Sequence, residues 1–161
     1  GPAGMGGGQA IDLQAAGQVP EPAPSGARQS RALKLDADGL RAMHAQKTGA
    51  LIRAAASSGA VMAGADAALV ESVDRYAADL GLCFQIVDDI LDVEGSAAEL
   101  GKTAGKDAAR AKPTYPALFG LEKSRTLAAD CVERARRTLA GAGLDAGHLA
   151  AIADWVLSRK N

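Results

Sequence analysis

Apolar positions recur every three or four residues along most of the chain, and no segment alternates with a period of two for long enough to argue a strand. The clearest stripe spans residues 66–93, where Leu69, Val73, Tyr76, Leu80, Phe84, Val87 and Leu91 keep helical spacing throughout. A helix with that much apolar surface must pack against several neighbours. Before it, residues 38–63 predict a helix with Leu40, Met43, Lys47, Leu51 and Ala54 in one register. A short helix over residues 3–16 opens the chain and stops at Gly17, a residue suited to a helix end. After the long helix come a Gly- and Lys-bearing loop at 94–113 and helical patterns at 114–121, 122–139 and 145–159. The expected fold class is all-α, with no internal repeat.

Residues 17–35 interrupt this pattern with Pro20, Pro22, Pro24, Ser25 and Gly26, a composition that resists both helix and strand. A flexible surface loop is expected there rather than a domain boundary, because the flanking helices are too few for two cores. The 161 residues therefore read as one domain. Aromatic residues are only 3% of the chain and alanine is abundant, which favours helices packed closely through small side chains. A net charge of -1 offers no basic field for nucleic acid and no cationic face for a membrane surface. Any anionic ligand must be held by local lysines or by a metal.

Cys83 and Cys131 each lie inside an apolar helical pattern without a partner at metal-ligand spacing, and read as free, buried thiols in a reducing cytoplasm. No apolar run reaches the roughly 18 residues of a membrane span, and no signal segment opens the chain. A cytoplasmic protein is expected. The chain begins Gly1-Pro2-Ala3 without an initiator methionine, which suits either a cloning scar or a piece of something longer.

The most informative stretch is Phe84-Gln85-Ile86-Val87-Asp88-Asp89-Ile90-Leu91-Asp92. On a helix, Asp88 and Asp92 share a face, and Gln85 and Gly81 continue that stripe toward the amino end. Like charges at this spacing destabilise a bare helix by about 0.2–0.5 kcal/mol. A hard cation answers them, since magnesium takes one or two carboxylates and completes its shell with phosphate oxygens and water. In isolation the motif reads more readily as a solvated acidic patch, so neighbouring signals must decide. Lys47-Thr48 puts a cation and a hydroxyl inside a largely apolar helix, and Lys102 and Lys106 lie in a glycine-punctuated loop downstream. Taken singly, Lys47 reads as a snorkelling surface lysine and the loop lysines as solvated ones. Together, three lysines and three aspartates could enclose one diphosphate.

These motifs resemble, in order and along essentially the whole chain, the second half of trans-isoprenyl diphosphate synthases of the bacterial farnesyl diphosphate synthase type. The resemblance rests on Gly7-Gly8-Gln9-Ala10-Ile11-Asp12-Leu13, Lys47-Thr48-Gly49-Ala50-Leu51-Ile52, the Phe84–Asp92 stretch, Leu100-Gly101-Lys102, and Lys112-Pro113-Thr114-Tyr115-Pro116. Each motif alone is weak; five together are specific. The resemblance implies the isoprenoid synthase helical bundle and condensation of an allylic diphosphate with isopentenyl diphosphate, with magnesium as cofactor. It implies Asp88, Asp89 and Asp92 as the metal-binding motif, and Lys47, Lys102 and Lys112 on the substrate diphosphate. Thr48 and Gln85 would lie near the developing cation, Lys106 and Asp107 would occupy a nearby turn, and Gln9 and Asp12 would support the cavity wall. The family also implies a homodimer.

A first aspartate-rich motif, with the arginines and lysine that hold isopentenyl diphosphate in the family, is not found in these 161 residues. The segment by itself is therefore expected to be inactive, and to associate through faces that missing helices would cover. Geranylgeranyl or other chain lengths, a helical lyase, and a noncatalytic helical subunit are the competing functions. Product length is not legible. His44 and His148 lack an acid-base partner at useful spacing and read as solvated or structural. Trp155 and Tyr76 read as packing anchors, and Glu133/Arg137 and Asp130/Arg134 as i,i+4 surface pairs.

Overall fold

Short polar side chains decide where several helices begin. In the computed structural model, which describes residues 4–17, 33–99, 113–145 and 147–160, Asp36 Oδ1 accepts from Gly39 N–H at 2.8 Å and Asp66 Oδ1 from Leu69 N–H at 2.8 Å. Thr114 Oγ1 accepts from Ala117 N–H at 3.2 Å. Each cap satisfies a donor that the first helical turn leaves without an internal partner. The elements are α1 (Met5–Ala15), α2 (Ala37–His44), α3 (Ala50–Met62), α4 (Ala67–Glu99), α5 (Tyr115–Phe119), α6 (Leu121–Gly141) and α7 (His148–Ser158). Between α2 and α3 the helix runs through a π turn, Ala45–Gly49. No strand occurs among the described residues, and the fold is all-α. No helix among them is long and apolar enough to cross a membrane.

Helix α4 is central, packing against α3, α5, α6, α7 and the π turn. Its Tyr76, Leu80, Cys83, Ile86, Val87 and Ile90 meet Leu40, Met43, Val132, Leu139 and Val156 in one hydrophobic core. Each large aliphatic side chain so buried contributes about 1.5–3 kcal/mol relative to exposure. The Tyr76 hydroxyl donates to the Leu149 carbonyl at 2.7 Å, tying α4 to α7 as a packing anchor should. Both cysteines are free and buried, and burial pushes the Cys83 thiol up to about 12. Helix α3 buries no residue fully. Ile52 and Ala56 pack against the core, and Arg53 donates to Asp74 on α4 through Nε at 2.9 Å and Nη2 at 2.5 Å.

Four local expectations are corrected. The π turn spends an extra residue on one turn, so the stripe through Leu40 and Met43 loses phase after Lys47. Leu51 is 59% exposed and Ala54 is exposed, while Ile52 faces the core. Second, α4 continues through Gly95 to Glu99 where a loop is expected from residue 94; one interior glycine costs only about 1 kcal/mol against alanine, and Glu94 is held by Arg125 of α6. Third, Trp155 is no anchor: it is 63% exposed, because α7 turns Ala153 and Val156 inward. Finally, Arg134 reaches across to Asp79 of α4 at 2.8 Å instead of pairing with Asp130, whereas Arg137 and Glu133 do pair, at 3.5 Å. The Pro-rich stretch from 18 to 32 and the loop from 100 to 112 lie outside the described residues.

Three helical backbones meet without intervening side chains. A Cβ built on Gly8 of α1 would stand 2.2 Å from the Lys47 amide nitrogen, and one on Gly81 of α4 would stand 3.0 Å from Gly49 Cα. These contacts fix the depth at which the π turn sits. Gly59 on α3, by contrast, has nothing within 4 Å of its missing Cβ. Gly8→Ala is expected to cost about 1–3 kcal/mol by overpacking, a fall of several degrees in the thermal midpoint. Gly59→Ala is expected to gain about 0.4–1 kcal/mol by restricting the unfolded chain. Thermal melts of both variants read the opposite signs.

Candidate functional site

The π turn between α2 and α3 carries Lys47 and Thr48, and such bulges widen the helix at a point where a side chain must be redirected. Lys47 Nζ donates to Asp12 Oδ2 of α1 at 2.6 Å. The lysine side chain keeps 25% of its surface and the aspartate 10%, so the pair is neither a surface contact nor fully desolvated. Asp12 thus does more than line a wall: it sets where the ammonium sits. Gln9, one turn earlier, is exposed, and Thr48 is half-buried.

Helix α4 divides its polar residues between two directions. Gln85 and Asp89 are 5% and 4% exposed, whereas Asp88 and Asp92 are exposed. Four residues advance an α-helix by about 6 Å, so the two exposed carboxylates stand one turn apart on one face. Asp88 Oδ1 accepts from Arg159 Nη2 at 2.9 Å, and the same guanidinium lies 4.0 Å over the Phe84 ring and donates to the Phe84 carbonyl at 3.2 Å. Arg159 thereby brings a cation from the far end of the chain to the rim of the aspartate motif.

The inward pair meets a residue that helical periodicity did not single out. His44, 3% exposed and the last residue of α2, stacks on Tyr115 with ring centroids 5.8 Å apart. Its Nδ1 lies 3.1 Å from Gln85 Oε1 and its Nε2 lies 3.3 Å from Asp89 Oδ2, the latter contact out of line for a hydrogen bond. Asp89 Oδ2 also accepts from the Tyr115 N–H at 3.0 Å. His44 is therefore not solvated; its partners come from a helix 41 positions away, which spacing within α2 cannot show.

Of the residues singled out from sequence, Lys47, Thr48, Gln85, Asp88, Asp89 and Asp92 fall on the π turn and on α4, which pack together. Lys102, Lys106, Asp107 and Lys112 lie outside the described residues. Among the described residues no three carboxylate, imidazole or thiol groups gather closely enough to hold a metal by themselves. Two exposed carboxylates one turn apart nevertheless suit magnesium, which takes few protein ligands when a diphosphate supplies the rest. Asp89 is buried, facing His44 and accepting from the Tyr115 N–H.

The family model described as polyprenyl synthetase matches residues 4–140. The chain is 44% identical over 161 residues to farnesyl diphosphate synthase of Escherichia coli (strain K12), covering 98% of this chain and 49% of that one. It is 46% identical over 123 residues to geranylgeranyl pyrophosphate synthase 10, mitochondrial, of Arabidopsis thaliana, covering 76% and 36%. An FPP/GFPP synthase from Zymomonas mobilis superposes with a TM-score of 0.72 at 33% identity, covering 97% of this chain and 46% of that one. The chain thus spans about half the length, or less, of the curated relatives it matches.

Because Asp12 is buried beside Lys47, exchanging its charge should be felt in stability. Asp12→Asn keeps the volume and removes the ion pair, and is expected to cost about 1–3 kcal/mol, below the 3–5 kcal/mol of a fully buried pair. For a chain of this size that is a fall of roughly 3–10 °C in the melting midpoint, measurable by circular dichroism.

Proposed function

The chain belongs to the polyprenyl synthetase family, and on that premise we propose that the protein condenses an allylic diphosphate, dimethylallyl or geranyl, with isopentenyl diphosphate, forming farnesyl diphosphate and releasing diphosphate. The observation that carries the proposal is the pair of exposed carboxylates, Asp88 and Asp92, on the helix against which the Lys47–Thr48 turn packs. Geranylgeranyl diphosphate is the second candidate product, favoured by the 46% identity to a plant synthase of that product.

Asp88 and Asp92 would hold magnesium together with the substrate diphosphate, and the ion supplies Lewis-acid withdrawal of charge from the leaving group. Lys47, positioned by Asp12, places its ammonium where negative charge builds as the carbon-oxygen bond breaks. Thr48 and Gln85 would lie near the allylic cation, which the isopentenyl double bond attacks before a proton is lost. Lys102 and Lys112 are assigned to the diphosphate, and Arg159 offers a further cation at the same rim. Asp89 contributes through position: it ties His44 to the start of α5. The apolar residues flanking the motif keep water from the cation.

The test uses the full-length product of the gene, labelled isopentenyl diphosphate, each allylic diphosphate and magnesium. Labelled product longer by five-carbon units is expected, and chelation of the metal is expected to stop its formation. Asp88→Ala should lower kcat at least about 100-fold while moving the melting midpoint little, since Asp88 is half-exposed. Near-normal turnover in that variant would remove the metal assignment.

A further inference from the structure

We propose that His44 is a positioning residue for this site, its ring fixing the Gln85 amide and the Asp89 carboxylate so that the turn bearing Lys47 and Thr48 meets α4 in a single register. The inference rests on the prenyl-transfer reading for what the site does, and on geometry for how it is held. His44 is the last residue before the π turn, so a shift of its backbone carries into Lys47 and Thr48. With Gln85 Oε1 at 3.1 Å, Nδ1 acts as donor to the amide; Nε2 faces Asp89 Oδ2 at 3.3 Å. The carboxylate is shared with the Tyr115 N–H at 3.0 Å, and Tyr115 in turn stacks on the imidazole at an interplanar angle of 19°.

Three elements thus converge on one ring: the end of α2, the middle of α4 and the start of α5. Gln85 and Asp89 are both nearly without solvent, and buried polar groups left without partners are costly. The ring serves the Gln85 oxygen while the Tyr115 N–H serves Asp89, and packed between them it has little freedom. Apolar packing alone would tolerate small slides of the π turn along α4; a directional hydrogen bond to Gln85 on one side of the imidazole, with the Asp89 carboxylate 3.3 Å from Nε2 on the other, does not. His44 touches neither the exposed carboxylates nor Lys47 in the contacts described above, so its influence on chemistry runs through Gln85 and the turn.

The experiment is a double-mutant cycle on the full-length protein. His44→Phe keeps ring volume and the stack on Tyr115 but loses both polar contacts; His44→Asn keeps a donor near the Nδ1 position. His44→Phe is expected to lower kcat about 10–100-fold, as loss of a residue that orients a reacting group does, with KM for the allylic diphosphate changed less than about threefold. His44→Asn is expected to recover most of kcat. In a Gln85→Met background the further effect of His44→Phe should shrink to within about threefold, because the two residues act as one unit. Equal loss in the Phe and Asn variants, or a full additional loss in the Gln85→Met background, would overturn the assignment. A nitrogen-15 spectrum of the histidine rings judges it independently of turnover: the Nδ1-bound proton of His44 should shift in Gln85→Met, and an unchanged resonance would overturn it. If wild-type protein transfers no prenyl group, the functional reading fails while this spectrum still decides the role of His44.

Discussion

Three backbones meet around the π turn, and the rest of the described structure is arranged about that meeting. Gly8 and Gly81 remove the side chains that would hold α1 and α4 away from it, and a Cβ at Gly8 would collide with the Lys47 backbone. Bringing backbones this near removes freedom from the turn, and what remains is settled by polar contacts: Asp12 on Lys47 from one side, Gln85 and Asp89 on His44 from the other. Lys47 and Thr48 are therefore presented by a turn held from both sides. Electrostatic catalysis requires groups that are already oriented before charge develops.

The division of labour along α4 follows from the same packing. An aspartate-rich stretch on a bare helix would repel itself. Here one of its carboxylates is taken inward, where it accepts from the Tyr115 amide and faces His44, and another is met by Arg159. The repulsion is thereby divided between a buried contact and an exposed face. The surrounding core of Ile86, Val87 and Ile90 keeps that face on a rigid support.

Much of this was legible from residue spacing. The three-four stripe of the long helix located α4 and its buried positions, and the same spacing put Asp88 and Asp92 on one face of it. What spacing could not show were changes of phase and contacts between distant segments. A π turn carries no signal in apolar periodicity, so Leu51 and Ala54 were placed on the wrong side. Trp155 was judged by its size, although its face on α7 is the outer one. His44 and Arg159 find their partners 41 and 71 positions away, and only the fold brings them to the motif. Chain length stays open because similar relatives make products of different length.

The decisive measurement is a crystal structure of the full-length protein with manganese in place of magnesium and a non-ionisable thio-analogue of the allylic diphosphate. Metal is expected between Asp88, Asp92 and the phosphate oxygens, with Lys47 on the same diphosphate and Asp89 still against His44 and the Tyr115 amide. Metal bound away from α4, or a diphosphate that never meets Lys47, would contradict this assignment.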